Sequence, residues 1–253
     1  MKIISIVNNK GGVGKTTTAV NLGYSLAMAN KKILIIDMDQ QSNTTQYLNR
    51  YNIDKYQIGD LMFGEIQIRE IIVETDYLNL DLIPCNEKFS IANATLRAES
   101  LMPPQLFLKR KLLTASLDYD YILIDCPPQL EEITANALTV STDVIVPIRA
   151  GEFALEGFLS VLNAIEKIKT SGISNDLKLM GALLTSIDER LQISKYIVNQ
   201  LEYLEEPFFK TKIRHSTDVE KSITMKKPIA IPYPNNNVAM DYMSLAQEIL
   251  KKG

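Results

Sequence analysis

Apolar and polar positions alternate along this chain in two rhythms. Short apolar or β-branched runs predict strands over Ile3–Val7, Lys32–Asp37, Leu78–Pro84, Tyr121–Asp125, Asp143–Ile148, Leu179–Thr185 and Pro207–Ile213. In Ile33-Leu34-Ile35-Ile36, Ile122-Leu123-Ile124 and Val144-Ile145-Val146 successive residues are apolar. A strand of that kind must be covered on both faces, as in a parallel sheet. Between these runs, spacing of three to four residues predicts helices over Lys15–Ala29, Pro104–Leu117, Ile133–Leu138, Leu155–Thr170, Gln192–Tyr203 and Val238–Lys252. Such alternation predicts an α/β fold: a doubly wound, mostly parallel sheet with helices on both faces. Tyr51–Asp76 is less clear. Asp60-Leu61-Met62-Phe63-Gly64 reads as a short helix stopped by glycine, with another short helix after it. Three prolines and three asparagines between Pro228 and Asn237 predict a surface loop before the last helix. No repeat, low-complexity tract or linker interrupts the pattern, so residues 1–253 are read as a single domain.

Composition narrows the chemistry. The chain has 253 residues, 46% of them hydrophobic, enough for a sizeable core. Two cysteines, Cys85 and Cys126, give neither a disulfide framework nor a four-cysteine metal site. A single histidine, His215, excludes most zinc chemistry and the usual serine–histidine hydrolase. No apolar run approaches the roughly 20 residues that a membrane span needs. Met1–Val7 is apolar but runs straight into glycines, which makes it a first strand and not a secretory signal. A cytoplasmic protein is expected.

The stretch that decides the chemistry is Asn9-Lys10-Gly11-Gly12-Val13-Gly14-Lys15-Thr16-Thr17-Thr18. It follows a predicted strand and opens a predicted helix, the context of a phosphate-binding P-loop. The small glycines Gly11, Gly12 and Gly14, with Val13 among them, let backbone N–H groups close around phosphate oxygens, helped by the helix N-terminus. Lys15 is placed for the β- and γ-phosphates, the Thr16 hydroxyl for Mg²⁺, and Thr17 for the α-phosphate. ATP and Mg²⁺ are therefore the expected cofactors. A second strand end, Tyr121-Ile122-Leu123-Ile124-Asp125, delivers an aspartate in the Walker B manner, which suits Asp125 to hold Mg²⁺ through a water.

The common P-loop pattern has glycine where this chain has Asn9, and here an additional lysine, Lys10, stands early in the loop. This resembles the deviant Walker A loop of the ParA/MinD family, above all its small chromosomal-type partition ATPases. Asp37-Met38-Asp39-Gln40-Gln41-Ser42-Asn43 resembles the family's second motif, D-x-D-P-Q-x-N, with Gln40 in place of proline. The resemblance implies that Lys10 reaches the nucleotide of a partner subunit, so that ATP binds at a homodimer interface. It implies that Asp39 orients or deprotonates the attacking water and that Asp37 supports the Mg²⁺ shell. Lys10, Lys15 and Asp39 are thus the expected catalytic group, and Thr16, Asp37 and Asp125 the expected metal group. Pro127-Pro128 opens the loop that senses the γ-phosphate in the family, and Glu152 with Ala154-Leu155-Glu156-Gly157 matches the stretch before its dimer-face helix. No chemistry is assigned to that last stretch, which a helix start explains equally well.

Charge is unevenly spread. Pro207–Lys227 holds six basic and two acidic side chains, a net +4 in a chain whose total is −3. Such a patch suits phosphate backbones read without sequence preference. Lys210, Lys212, Arg214, Lys226 and Lys227 are the candidate DNA contacts, joined by Arg190, which matches a DNA-binding arginine of relatives. A plainly solvated charged face is the other reading. Relatives read I-P-R-N-V-R where this chain has Ile213-Arg214-His215-Ser216-Thr217-Asp218, so the adenine contacts implied at Ile213 and Arg214, and the DNA patch with them, are expected to be rearranged. His215 is expected at the surface or at the adenine edge. The expected function is partition or positioning: an ATP-bound dimer on non-specific DNA, nucleoid-associated, released by hydrolysis that a ParB-like partner stimulates. A MinD-like membrane switch is the alternative, but the Met240–Gly253 tail has two lysines and no aromatic wedge, and membrane binding is not expected. Positioning of a protein cargo and a small-molecule ligase of the same P-loop branch are further alternatives.

Overall fold

The computed structural model describes residues 1–89, 103–151, 153–174, 176–188 and 190–252. The apolar runs pair edge to edge. Strands β1 (Lys2–Ile6), β2 (Ile33–Asp37), β3 (Val73–Glu74), β4 (Leu80–Ile83), β5 (Tyr121–Asp125), β6 (Asp143–Arg149) and β7 (Lys178–Thr185) form a seven-stranded sheet in the order β3-β4-β2-β5-β1-β6-β7. Every neighbouring pair is parallel except β3 with β4. The helices are α1 (Lys15–Met28), α2 (Asn43–Tyr47), α3 (Ile58–Phe63), α4 (Ile68–Ile71), α5 (Phe107–Leu113), α6 (Glu132–Val140), α7 (Ala154–Thr170), α8 (Gln192–Tyr203), α9 (Asp218–Thr224) and α10 (Asn237–Lys252).

The period-two geometry of a strand sends alternate side chains to opposite faces, and both faces here are dry. Leu34 and Ile36 join one core with residues of α3, α6 and α7, including Leu61, Ile133 and Phe158. Ile33 and Ile35 join a second core with α1 and α10, including Leu22, Leu26 and Leu245. Each fully buried aliphatic or aromatic side chain of this kind contributes about 1.5–3 kcal/mol, which is why β2 and β5 tolerate aspartates only at their ends.

Two expectations are corrected. Pro207–Ile213 is not a strand of the sheet; Phe208 and Arg214 make isolated bridges, to Ala182 and Ile187. The interruption has a cause: the Lys210 and Thr211 N–H groups donate to the Glu248 carboxylate of α10, both at 3.0 Å, and the Thr211 N–H leaves the ladder there. The helix predicted over Pro104–Leu117 is shorter, a 3-10 turn at Pro104–Leu106 followed by α5, which ends at Leu113. The two short helices read near Asp60 are α3 and α4, with Gly64 following α3 as expected. Short elements α2, α9 and β3 lie outside the predicted set. Glu152 falls outside the described residues.

Register positions the site. Ile6 and Asp37 both stand opposite Asp125, so β1, β5 and β2 end side by side. The strand order turns at β1, which lies between β5 and β6. A crevice at the carboxyl ends of strands, at such a turning point, is where open α/β sheets bind ligands.

Candidate phosphate site and base pocket

The loop from β1 to α1 closes on itself because Gly12 and Gly14 take left-handed conformations, φ 69° and 86°, which glycine adopts at no steric cost. Gly14 is the residue before α1, no side chain among the described residues caps that helix, and its first turn carries no acid. Its first N–H groups and dipole are thus directed at whatever anion enters the loop. Thr185 at the end of β7 donates to the Val13 carbonyl at 2.8 Å and braces the loop from outside. Lys15 is buried, and its ammonium turns inward to the Lys10 carbonyl at 3.1 Å. Burial lowers its pKa, opposed chiefly by the negative charge of Asp125.

Asp125 is the hub. Its Oδ2 accepts from the Thr16 hydroxyl and from the Thr44 hydroxyl, each at 2.8 Å. Its Oδ1 is buried and has no hydrogen-bond partner among the described residues. Burial raises its pKa, and the two threonine hydroxyls oppose that. Asp37 is also fully buried; burial and then the charge of Asp125 push its pKa up. Its Oδ2 accepts from the Thr45 N–H (2.9 Å) and hydroxyl (2.7 Å), and its Oδ1 from the Asp39 N–H (3.1 Å). Asp37 thereby shapes the turn that carries Asp39. The Asp39 carboxylate in turn accepts from the Gln41 N–H at 3.0 Å.

A buried oxygen without a partner is costly to a protein, and two neighbouring buried carboxylates call for positive charge. Hard oxygens, one of them open, fit a magnesium ion that keeps waters and phosphate oxygens as its other ligands. Among the described residues no group of three or more His, Cys, Asp and Glu forms an all-protein metal cage.

Beside the loop lies a cavity of about 400 Å³. Gly14 and Thr17 form its phosphate end, Ile213 and His215 one wall, and Val238 and Tyr242 of α10 the other. Ile213 and Arg214 do line it, but the Arg214 guanidinium is engaged by Asp241, 2.6 Å from Nη2 to Oδ1. The His215 Nδ1 lies 3.0 Å from the Ser186 hydroxyl.

Lys10 behaves unlike Lys15. Its ammonium leaves the loop for the start of α7, 3.1 Å from Glu156 Oε2 and 5.3 Å from the centroid of the exposed Phe153 ring. The candidate DNA contacts sit elsewhere. Arg190 follows β7, 89% exposed and paired with Asp188. Lys210 and Lys212 lie on the segment along β7, and Lys226 reaches Asn49 at 3.2 Å, next to Lys227.

The family model described as AAA domain matches residues 1–179. The sporulation initiation inhibitor protein Soj of Bacillus subtilis is 36% identical, over 100% of this chain and 99% of its own. This chain belongs to the ParA/MinD family of P-loop ATPases. It is an ATPase of the Soj-like branch, where partition is the shared work. A putative plasmid partition protein of Borrelia burgdorferi, solved bound to AMPPNP, is similar at TM-score 0.85 and 28% identity, covering 100% of this chain and 99% of that one. Cobyrinic acid a,c-diamide synthase of Mycobacterium smegmatis, solved with ADP and magnesium, has the same TM-score and identity, over 99% and 94%. Among the described residues no helix is long and apolar enough to cross a membrane.

The ParA/MinD motifs flag Lys10, Lys15, Thr16, Asp37, Asp39 and Asp125, and the structure gathers all but the Lys10 ammonium at the carboxyl ends of β1, β2 and β5. Thr44 and Thr45, directly after the second motif, were missed, although two hydroxyl residues following an aspartate-rich strand end are a readable signal. Asp241 and Tyr242 were missed too, and nothing local in the sequence marks them, since their role comes from α10 packing on α1.

Proposed function

We propose that this chain is a partition ATPase that binds ATP and Mg²⁺ in the described crevice and pairs with a second copy when it does. The triphosphate lies along Gly11–Thr17 with the Lys15 ammonium on its β- and γ-phosphates. Thr16 and Asp125 hold the magnesium ion, with Asp37 behind them; the ion supplies neutralisation of phosphate charge. Asp39, fixed by Asp37 and the Gln41 N–H, orients the attacking water and takes its proton. The dimer then rests on non-specific DNA through Arg190, Lys210, Lys212, Lys226 and Lys227, and hydrolysis, accelerated by a ParB-like protein, releases it. Its place is the cytoplasm, on the nucleoid.

The observation that carries the pairing is the direction of Lys10. Its ammonium stands outside its own loop, beside the exposed Phe153 ring that precedes α7. A cation at that rim can serve a second molecule's phosphate; one folded inward, like that of Lys15, cannot. Light scattering with magnesium and a slowly hydrolysed ATP analogue tests this. The wild type should double in mass and Lys10→Ala should stay single while still binding nucleotide. A wild type that remains a single chain at high concentration removes the proposal.

A further inference from the structure

We propose that the Arg214–Asp241 ion pair is a positioning device for the nucleotide base. It ties the 213–217 segment to α10 and so sets the wall against which the base rests. The inference rests on ATP occupying the cavity described above.

The 213–217 segment belongs to neither helix nor strand, so its shape must come from its contacts. On one side it follows β7: the Ile213 N–H donates to the Leu184 carbonyl (2.8 Å), the Ile187 N–H to the Ile213 carbonyl (3.0 Å), and the His215 N–H to the Ile187 carbonyl (3.1 Å). On the other side Arg214 makes the tie. Its backbone N–H donates to Asp241 Oδ2 at 3.0 Å, Nε to the same oxygen at 3.0 Å, and Nη2 to Oδ1 at 2.6 Å. Nη2 also reaches the Asn237 carbonyl at 3.3 Å. One carboxylate on α10 therefore holds backbone and side chain of the same residue.

The same helical turn faces the cavity. Val238 and Tyr242 line it, and the Tyr242 hydroxyl lies 3.2 Å from that of Thr18 on α1. The turn is thus fastened to the phosphate-binding helix at Tyr242 and to the base wall at Asp241. That arrangement fixes the span between phosphate cradle and base wall. A half-buried ion pair adds little net stability, because desolvation offsets attraction; what a bidentate arginine fork adds is geometry. Groups that hold a binding wall in register act on affinity more than on the chemical step.

The test compares wild type with Arg214→Lys and Asp241→Asn, full-length, in steady-state ATP hydrolysis. Inorganic tripolyphosphate, which fits the phosphate loop and has no base, serves as competitive inhibitor. The KM for ATP should rise about tenfold in Asp241→Asn, the scale of one lost charge-assisted hydrogen bond, and by less in Arg214→Lys. The fall in kcat should be much smaller, and the inhibition constant of tripolyphosphate should stay within about twofold. An unchanged KM in both variants overturns the inference. So does a parallel loss of tripolyphosphate binding, which marks general loosening of the fold. Failure of the wild type to bind or hydrolyse ATP would instead overturn the functional reading beneath it.

Discussion

The two ends of the nucleotide crevice are built on opposite principles. The phosphate end is built from short motifs, each local to one strand end: Lys15 and Thr16 open the helix after β1, Asp37 and Asp39 stand at the end of β2, and Asp125 at the end of β5; they meet, across as many as 109 positions, because β1, β2 and β5 end side by side. The base end is assembled from distant pieces. Arg214 meets Asp241 across 27 positions, and Tyr242 meets Thr18 across 224. Local construction leaves motifs in a sequence; long-range construction leaves none. With ATP placed as proposed, the phosphate end should also be unforgiving, since its groups would touch the reacting atoms, while the base end should yield graded losses.

The sharpest way to break this contrast is at Lys15. Lys15→Ala should remove nucleotide binding, a loss of about a hundredfold or more in affinity, because in the proposed placement of ATP its buried ammonium makes several charge-assisted bonds to phosphate. Equilibrium binding of a fluorescent ATP analogue measures it. A variant that binds within a few-fold of wild type would place the triphosphate elsewhere. Asp39→Ala should act on turnover alone. Loss of a general base costs about 10²–10⁴-fold in rate, and the Asp39 carboxylate accepts its hydrogen bond from the Gln41 N–H of its own turn, so the ATP-dependent dimer should persist. Phosphate release and light scattering on the same sample separate the two effects. A fully active Asp39→Ala would take the water-activating role from this residue.

How far the sequence carries follows the same division. Successive apolar residues in β2 and β5 announced a sheet covered on both faces, and the glycines before Lys15 announced the loop, because backbone geometry and local chemistry suffice for each. The Pro207–Ile213 segment shows the limit. Phe208, Phe209 and Ile213 have the composition of a strand, yet Glu248 takes the Thr211 N–H that a ladder with β7 would use, and the Lys210 N–H beside it. A competing acceptor that lies 38 positions away in sequence is invisible to periodicity. Thr44 and Thr45 were legible in principle, and their role emerges only once Asp37 and Asp125 are seen as register neighbours.

The basic surface is where the smallest effects are expected and where structure changes the reading of charge most. Counting side chains gives Pro207–Lys227 a net +4, but several of these cations are already engaged. Lys221 pairs with Asp218 at 2.8 Å, and Arg214 is committed to Asp241. Arg190 grips Asp188 with Nε at 2.9 Å and Nη2 at 2.7 Å, and these bonds, together with its backbone N–H, hold the Asp188 pKa down to about 2. Asp188 is therefore ionised at any physiological pH, and a DNA phosphate must compete with it for the guanidinium. Removing one phosphate contact lowers the salt slope of binding by about one and weakens affinity uniformly across sequences. Arg190→Ala and Lys212→Ala should each do so by about threefold at moderate salt, with ATPase intact. Asp188→Asn should move the opposite way: it frees Arg190 for phosphate, so DNA retention should strengthen by a similar factor. Filter binding over a salt series with the ATP-bound protein reads all three. Matched curves for Arg190→Ala and wild type would make Arg190 a solvated partner of Asp188 and nothing more. An unchanged curve for Asp188→Asn, with Arg190→Ala weakened, would show that phosphate displaces the carboxylate without cost, as exposed ion pairs screened by salt allow.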